Sequence, residues 1–384
     1  MSEWPMVKLG ELLKPSPKKT AGELDAPILS ITMHDGLVEQ DTRFKKRIAS
    51  LDTSIYRIVF KGQLVVGFPI DEGVLDFQDK YSQALVSPAY GVWDLVSDEV
   101  TPEFLGLFLK SPRAISIYKS RLRGTTARRR SLPTKVFQEI EFPLPPLGEQ
   151  KRIAEILGGA SKAINEIRTE IKRVESLCGA VVSLYAEDQS TKKLEDLATL
   201  SGGLSLGSHR KNKPHSVGYL RVANVFWGKI LYDEIKELNC TDQEFERTLL
   251  QDGDVLITEA HANRFQVGRS AVFRGEEQAL VFQNHLFRAR PNKNIDSDVL
   301  AAMLSSVAVR RQLYQMAKTT SGLNTISISQ VRSLRVPVLD TTKQAELLSF
   351  LQESNKLNHL LHRKLSLLQE LQKSLATQAF AGLP

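Results

Sequence analysis

The sequence repeats itself at long range, and this repeat constrains the fold more than any other feature. Phe142-Pro143-Leu144 is followed by Gln150, and 194 positions further along Val336-Pro337-Val338 is followed by Gln344. Weaker matches lie upstream at similar offsets: Lys8-Leu9-Gly10-Glu11-Leu12 with Lys193-Leu194-Glu195-Asp196-Leu197, and Ala84-Leu85-Val86 with Ala279-Leu280-Val281. Because this period is far longer than that of a solenoid repeat, the pattern predicts two copies of one domain. Prolines in each junction separate the domain from the helix that follows.

Each copy of the predicted domain has strand-like sequence first and helix-like sequence last. Residues 56–60 and 218–222 are rich in the aromatic and β-branched residues that are typical of strands. Residues 102–123 and 296–318 each indicate a helix. We therefore expect an α+β fold, in which two similar mixed α/β domains are separated by two long helices that form an antiparallel coiled coil. The expected boundaries are 1–146 and 189–340 for the domains, and 147–188 and 341–384 for the helices.

Both long helices carry a heptad seam, with key positions at alternating steps of four and three residues. In the first helix the seam comprises Ile153, Leu157, Ala160, Ile164, Ile167, Ile171, Val174, Cys178, Val181 and Tyr185. The repeat offset gives Leu347, Leu351, Ser354, Asn358, Leu361, Leu365, Leu368, Gln372, Leu375 and Ala379 in the second. Seams this long predict that the helices pack on each other as a spacer, with polar Asn358 fixing the register. The alternative is that both are amphipathic core helices of one compact domain.

Antiparallel packing of the two helices leads to a further expectation about distance. A helix of this length reaches roughly 55–60 Å at 1.5 Å per residue. The two domains would then lie at opposite ends of a rod, an arrangement suited to measuring a periodic partner.

The composition is that of a soluble globular protein with a moderate basic excess. Hydrophobic residues make up 42% of the chain, charged residues 25%, and the net charge is +7. Two cysteines, Cys178 and Cys240, are too few for a structural zinc site or a disulfide framework. The N-terminal residues do not form a secretory signal, and no apolar run is long enough to cross a membrane. We therefore expect a cytoplasmic protein with no membrane partner.

Catalytic signatures are missing from the sequence. It contains no Gly-x4-Gly-Lys-Ser/Thr phosphate loop and no Asn/Asp-Pro-Pro-aromatic tetrapeptide of the amino-methyltransferases. His359 and His362 share a helix face but flank the seam, so they are expected to be solvated rather than metal ligands. We expect a non-catalytic chain that itself binds no cofactor or metal.

Two stretches at matching positions of the repeat are basic and free of acidic residues. Residues 104–138 contain nine Lys or Arg, and residues 299–339 contain five. Their polar loops predict DNA contacts, since Arg and Lys bind phosphates and Ser, Thr and Asn add hydrogen bonds. The predicted contacts are Arg121, Arg123, Thr125, Thr126, Arg128, Arg129 and Arg130 in the first loop, and Lys318, Thr319, Thr320, Ser321 and Asn324 in the second. A further cluster, Arg210, Lys211 and Lys213, is either another phosphate-facing loop or a mobile surface turn.

The chain resembles the specificity subunits of type I restriction–modification systems. The resemblance is carried by the junction at residues 142–157, by residues 219–225 and 253–256, by residues 282–288, and by Ala379-Phe380-Ala381-Gly382-Leu383. It covers essentially the whole chain, although the first domain departs most from the family pattern. The second junction also departs, because Leu339-Asp340-Thr341-Thr342-Lys343 replaces the Pro-Pro-Leu-Gly-Glu of the first.

The resemblance implies a function in DNA recognition. Each domain would be a target-recognition domain that reads half of a split site in double-stranded DNA, with half-sites separated by about one helical turn. The helices would set that separation and dock two methyltransferase subunits, and nuclease–translocase subunits would join for restriction. S-adenosylmethionine, ATP and Mg²⁺ are then expected on the partner subunits. The alternative from another class is a coiled-coil scaffold that binds proteins.

Overall fold

The computed structural model describes residues 4–33, 36–40, 52–122, 132–275, 279–320 and 322–381. The chain divides into two compact units. Unit 1 comprises Met1–Arg168 and Arg363–Pro384, and unit 2 comprises Thr169–His362. Each unit therefore combines one mixed domain with a part of both long helices.

Unit 1 is built on short strands in two four-stranded sheets. The strands are β1 (Met6–Lys8), β2 (Leu13–Pro15), β3 (Ile28–Thr32), β4 (Gly36–Glu39), β5 (Arg57–Phe60), β6 (Leu64–Val66), β7 (Leu75–Phe77), β8 (Gln83–Val86), β9 (Gly91–Leu95) and β10 (Glu141–Pro143). One sheet has the order β2-β9-β6-β7 and the other β4-β3-β8-β5, while β1 pairs with β10 alone. Only β3 and β8 pair in parallel among these strands.

The helices of unit 1 pack against the sheet β2-β9-β6-β7 in one buried cluster, while the sheet β4-β3-β8-β5 packs in a second cluster. These helices are α1 (Leu9–Leu12), α2 (Pro102–Leu109), α3 (Pro112–Arg121), α4 (Thr134–Gln138) and the first part of the long helix α5 (Leu147–Ala186). A cluster of buried rings holds them together: Phe104, Phe108, Phe142 and Phe380 have ring centroids 4.8–6.4 Å apart. Phe380 comes from the end of the C-terminal helix, so the two ends of the chain share one core.

Unit 2 repeats this design and adds small sheets. Its strands are β11 (Thr191–Lys193), β12 (Ala198–Gly202), β13 (His215–Leu220), β14 (Val225–Phe226), β15 (Lys229–Ile230), β16 (Lys236–Cys240), β17 (Val255–Thr258), β18 (Ala260–His261), β19 (Ser270–Val272), β20 (Leu280–Phe282), β21 (Leu286–Pro291), β22 (Lys318–Thr320), β23 (Leu323–Thr325) and β24 (Arg335–Pro337). The helices are α6 (Leu194–Leu197), α7 (Asp242–Thr248), α8 (Ser297–Ser305), α9 (Val307–Met316), α10 (Ile328–Arg332) and α11 (Thr341–Ala381), with the end of α5. The sheet orders are β12-β21-β17-β19, β16-β13-β20, β18-β23-β22, β11-β24 and β14-β15.

The predicted helices over 102–123 and 296–318 are each two helices with a serine between them. Ser111 separates α2 from α3, and its hydroxyl accepts a hydrogen bond from the Ala114 N–H at 3.2 Å. Ser306 separates α8 from α9 with extended backbone, at φ −61° and ψ 153°. Pro112 favours the first break, because proline lacks the N–H that would continue the helix. The hydrophobic pattern continues across both breaks, so the sequence predicted one helix where the structure has two.

Equivalent glutamines make the same three hydrogen bonds in the two units. Gln150 accepts from the Thr101 N–H at 2.9 Å and donates to the carbonyls of Glu99 and Pro145 at 2.7 and 2.8 Å. Gln344 accepts from the Asp296 N–H at 3.3 Å and donates to two carbonyls, of Asn294 at 3.2 Å and Leu339 at 3.0 Å. Thr101 and Asp296 are the N-caps of α2 and α8. Each glutamine thus fixes the mixed domain to the start of its long helix.

The strands that open and close each domain also match. In unit 1, β1 pairs antiparallel with β10, and in unit 2, β11 pairs antiparallel with β24. The next residue repeats the contact: Leu9 N–H donates to the Ile140 carbonyl at 2.8 Å, and Leu194 N–H to the Leu334 carbonyl at 2.9 Å. The predicted fold, two similar mixed domains and two long helices, is confirmed.

The heptad seams form the buried face of both long helices. All ten seam positions of α5 and all ten of α11 are buried or half-buried, including Ile153, Leu157, Ile164, Ile171, Leu347, Leu351, Asn358 and Leu365. In unit 1 the Gln372 amide donates to the Ser161 hydroxyl at 2.7 Å, and in unit 2 the Tyr185 hydroxyl donates to Glu346 at 3.2 Å. The start of α5 thus meets the end of α11, and the end of α5 meets the start of α11, so the helices are antiparallel.

One polar position of the seam is not satisfied. The Asn358 carbonyl oxygen Oδ1 is buried and has no hydrogen-bond partner in the described part of the chain. No helix in the described ranges is long and apolar enough to span a membrane.

Candidate nucleic-acid interface

The predicted loop of the second domain is a β-hairpin at the edge of unit 2. Strands β22 and β23 pair antiparallel, with Thr319 opposite Asn324. Gly322 lies in the turn at φ +83°, a left-handed conformation that favours glycine. On its other side β23 pairs with β18, where His261 is opposite Asn324. The hairpin is therefore anchored to the domain rather than free.

Asn324 anchors the hairpin. Only 8% of Asn324 is exposed, and its amide donates to the carbonyls of His261 at 3.3 Å and Ala262 at 2.9 Å. Its carbonyl oxygen accepts from the Thr319 hydroxyl at 2.9 Å. With both ends of its amide engaged, Asn324 holds the hairpin against β18, and its contact with DNA stays a prediction.

Lys318 and Thr319 are the exposed predicted residues of this hairpin. Lys318 belongs to none of the salt bridges formed within the described ranges. Thr320 lies in β22, and Ser321 falls outside the residues that the structure describes. An unpaired ammonium on an anchored strand can bind a phosphate as a point charge.

A polar pair that the sequence analysis missed lies beside the hairpin. Glu259 follows β17, and its carboxylate is 2.6 Å from the His285 ring nitrogen Nδ1. The backbone ties this pair to the end of the hairpin, because the Ile326 N–H donates to the Glu259 carbonyl at 3.1 Å. His285 belongs to segment 282–288, which resembles the family pattern. No sequence pattern indicated Glu259, because it comes close to His285 only through the pairing of β17 with β21.

Of the contacts predicted in the first domain, Arg121 lies among the described residues. Arg121 is exposed at the end of α3 and lines a cavity of about 540 Å³ with Lys135 and Glu139. The other predicted contacts, Arg123, Thr125, Thr126, Arg128, Arg129 and Arg130, lie outside the described residues.

Arg210 and Lys213 are engaged in an ion-pair network with Glu244, and a contact of this cluster with phosphate stays a prediction. Arg210 is only 6% exposed, with its guanidinium 3.2 Å from Glu244, and it donates to the carbonyls of Ser205 and Asn239. The Lys213 ammonium is 2.5 Å from the same carboxylate. The Lys213 hydrogen bond, the Thr241 N–H and Arg210 together lower the pKa of Glu244 to about 2. Lys211 is the exposed cation of this cluster.

Metal chemistry has no candidate site here. In the described part of the chain, no group of three or more His, Cys, Asp or Glu side chains is arranged to hold a metal ion. The interface offers hydrogen bonds and charge, which suit recognition of a polyanion.

Known proteins match both the sequence and the fold. A family model described as the type I restriction modification DNA specificity domain matches residues 1–176. The chain is 26% identical over 306 residues to the EcoKI specificity subunit of Escherichia coli (strain K12), covering 73% of this chain and 65% of that protein. It is 20% identical over 307 residues to the StySPI specificity subunit of Salmonella potsdam, covering 74% and 65%. The match thus spans less than two thirds of the length of these relatives.

Two solved structures share the fold over nearly the whole chain. One, from a study of complex assembly and conformational transition of the type I R-M system, has a TM-score of 0.59 and 17% identity, covering 98% of this chain and 97% of the other. The S subunit of a type I restriction–modification system from M. genitalium has a TM-score of 0.51 and 14% identity, covering 99% and 96%. The chain is thus similar in sequence to type I restriction–modification specificity subunits over part of its length, and similar in fold to the two solved structures over nearly all of it.

Proposed function

We propose that this chain is the DNA-recognition subunit of a type I restriction–modification complex, with each mixed domain reading one half of a split site in double-stranded DNA. The observation that carries this proposal is that one domain architecture occurs twice and is fixed to a long helix by the same glutamine bonds, at Gln150 and Gln344. Two similar surfaces on one chain suit a site with two separated halves. The similar proteins do not point to the alternative, a coiled-coil scaffold that binds only proteins.

The hairpin edge of unit 2 supplies the chemistry for one half-site. Lys318 suits a phosphate contact, which fixes position, and the Thr319 hydroxyl can hydrogen-bond to either phosphate or base. Glu259 can accept a hydrogen bond from the amino group of cytosine, while its contact with His285 fixes its direction. The anchored backbone keeps these groups in place before DNA arrives.

The long helices support the second part of the proposal, the docking of two methyltransferase subunits. Beside the buried seam, both helices expose large apolar side chains: Ile156, Leu177 and Leu184 in α5, and Leu357, Leu360, Leu367 and Leu371 in α11. Exposed apolar side chains on a helix suit binding of a protein partner. In this proposal the methyltransferase subunits carry S-adenosylmethionine, nuclease–translocase subunits supply ATP- and Mg²⁺-dependent steps, and this chain is non-catalytic. Such a complex would meet DNA in the cytoplasm.

DNA binding is tested with the full chain and its methyltransferase partner on duplexes selected from a random pool. We expect enrichment of a split sequence, and binding that weakens steeply with salt. Lys318→Gln should reduce the slope of log affinity against log salt by about 0.9, because one phosphate contact is lost. Lys356→Gln on α11 is the matched control and should leave the slope unchanged. Failure to enrich any split sequence would contradict the proposal.

The spacer role is tested by inserting one heptad into both α5 and α11 at matching positions. Seven residues lengthen each helix by about 10 Å, which corresponds to roughly three base pairs at 3.4 Å each. The preferred spacer should change by that amount, while the two half-site sequences stay the same. An unchanged spacer with correctly folded protein would exclude the helices as the ruler.

Docking is tested by Leu360→Lys, which places a charge in the exposed stripe. We expect weaker binding of the methyltransferase in a sedimentation or pull-down assay with purified subunits. His359→Lys changes the neighbouring exposed position and is the control. Equal effects of the two substitutions would show that charge, and not the leucine stripe, determines docking.

A further inference from the structure

A cleft in unit 2 lies between a single 3₁₀ turn, Arg264–Gln266, and the helix α9. Its volume is about 310 Å³, at the lower end of the range for small-ligand sites. Val267 and Val307 form an apolar floor. Close packing shapes this floor, because Gly268 has φ +75° and a Cβ there would lie 2.7 Å from Leu313.

Two aromatic rings form one wall of the cleft. The rings of Phe265 and Tyr314 are stacked, with centroids 4.7 Å apart and planes inclined by 27°. Phe265 is 61% exposed, so the outer face of this stack is open to a ligand. A large flat apolar surface facing solvent is unfavourable unless a partner covers it.

Three guanidinium groups surround the rings. Arg264 lies 4.6 Å from the Tyr314 ring centroid and donates to the Ala317 carbonyl at 2.7 Å. Arg310 lies 4.9 Å from the ring of Trp227, and Arg311 also lines the cleft. Within the described ranges, none of the three has a carboxylate partner. The cleft therefore combines uncompensated positive charge with a stacking surface.

We propose that this arginine–aromatic cleft binds an unpaired nucleotide, with its base against the exposed face of Phe265 and its phosphate held by Arg310 and Arg311. A phosphate alone would use the guanidinium groups but not the rings, and an apolar ligand would use the rings but leave the guanidinium groups unpaired. A nucleotide uses both features, since every base has a face that stacks on aromatic rings and every phosphate is an anion. This goes beyond the proposed function, which requires only paired DNA.

The nucleotide could come from a DNA strand or be a free mononucleotide. The position of the cleft bears on this, because Ala317, which accepts the Arg264 hydrogen bond, immediately precedes β22 and its Lys318. A strand bound at the hairpin would thus pass the cleft. The two sources differ in one measurable property, competition by free nucleotide.

The experiment measures binding of the full chain to three labelled DNAs. They are a single strand of about ten nucleotides, a fully paired duplex carrying the selected split site, and the same duplex with one unpaired nucleotide. Phe265→Ala should weaken binding of the single strand and of the interrupted duplex about tenfold, as expected for loss of one stacked base. Binding of the paired duplex should stay within twofold. The double substitution R310Q/R311Q should weaken the same two DNAs and lower their salt dependence.

Controls separate stacking and charge from general effects. Ile55→Ala removes another exposed apolar side chain, and Arg173→Gln removes another exposed cation, so neither should change any affinity. Tyr314→Leu keeps an apolar wall but removes the stacked ring, and should behave as Phe265→Ala does. If adenosine monophosphate displaces the single strand from the unaltered chain but not from Phe265→Ala, the cleft also takes free nucleotides. If it does not displace it, the cleft takes a strand.

The proposal is overturned if Phe265→Ala leaves single-strand affinity unchanged, or if it weakens the paired duplex equally. Either result leaves the proposed function intact, since that depends on the paired split site. Conversely, a chain that binds the single strand but selects no split site would retain the cleft and lose the proposed function.

Discussion

The two units share their attachments and differ in the surfaces that those attachments hold. Both begin and end on paired strands, and both use a glutamine to connect a helix N-cap with the long helix. By contrast, among the described residues the cluster of rings around Phe380 lies in unit 1, and the ion pairs around Glu244 lie in unit 2. Similar attachments therefore hold domains with different internal interactions.

The shared attachments are not equally strong. Gln150 is fully buried and its three bonds are 2.7–2.9 Å long, whereas those of Gln344 are 3.0–3.3 Å and the residue is half-buried. The sequence explains the difference, because the rigid Pro145-Pro146 of the first junction is replaced by Leu339-Asp340 in the second. The first junction holds its helix more tightly than the second.

The largest effect is expected at the points where α11 enters each core. Phe380→Ala should destabilise unit 1 by about 3–5 kcal/mol, because it removes a buried ring and leaves a cavity. Leu347→Ala should destabilise unit 2 by about 2–5 kcal/mol. Hydrogen exchange, followed separately in each mixed domain, measures this. Comparable loss of protection in both domains from either substitution would contradict the division into two units.

A second prediction compares how much Gln150 and Gln344 contribute to the stability of their units. Gln150→Ala leaves the half-buried Thr101 N–H without its acceptor, removes the two other hydrogen bonds of the buried amide, and should cost about 2–3 kcal/mol in the stability of unit 1. Gln344→Ala should cost less, about 1 kcal/mol, because water can reach the groups that it leaves. Urea unfolding monitored in each unit gives both values. An equal or larger loss of stability for Gln344→Ala would show that hydrogen-bond length and burial do not determine which junction is more stable.

A third effect is specific to unit 2 and depends on pH. The pKa of Glu244 is about 2, below its ordinary 4.5. A lowered pKa means that the carboxylate stabilises the folded state above pH 4.5 and loses this contribution as the pH falls from 4.5 towards 2. Glu244→Gln should therefore cost about 2 kcal/mol near pH 7, after screening is allowed for, and almost nothing near pH 2.

Thermal unfolding of the two proteins across that pH range tests the prediction. Glu139→Gln is the control in unit 1, because its pair with Lys8 is exposed and should contribute little to stability at any pH. A stability difference for Glu244→Gln that does not change with pH would remove the ion-pair explanation.

The smallest effect compares two of the polar seam positions of α11, Gln372 and Asn358. Gln372 donates to Ser161, so Gln372→Leu should cost about 1 kcal/mol. The Asn358 oxygen has no partner in the described part of the chain, so Asn358→Leu should stabilise by about 1 kcal/mol. Thermal unfolding measures both. If Asn358→Leu destabilises instead, the residue has a role in register, which alternative helix pairings would reveal as broadened unfolding.

Much of the scaffold could be predicted because it depends on regular patterns. The seam positions alternate by four and three, and the same alternation selects the buried faces of α5 and α11. The repeat also predicted that Gln150 and Gln344 are equivalent positions, although the sequence alone did not show that they make the same hydrogen bonds. Periodicity and repetition report burial, which is why they located the long helices and the two mixed domains.

The candidate interface was harder to predict because it depends on what each side chain contacts. Arg210 and Asn324 have residue types typical of DNA contacts, but Glu244 engages the first and the hairpin backbone engages the second. Their partners are 34 and 62–63 residues away in sequence, so no local pattern indicates them. Glu259 and His285 became a pair only once β17 and β21 were seen to be adjacent.

The pairing of β1 with β10 and of β11 with β24 has a consequence for how such a protein can change. The chain enters and leaves each mixed domain on neighbouring strands, Met6 opposite Pro143 and Thr191 opposite Pro337. A domain joined at two adjacent points can be exchanged as a cassette without altering the path of the chain on either side. A replacement domain would need two short strands that pair with each other, and a helix N-cap whose backbone N–H donates to Gln150 or Gln344. Exchange at these two points would leave the residues of both long helices unchanged.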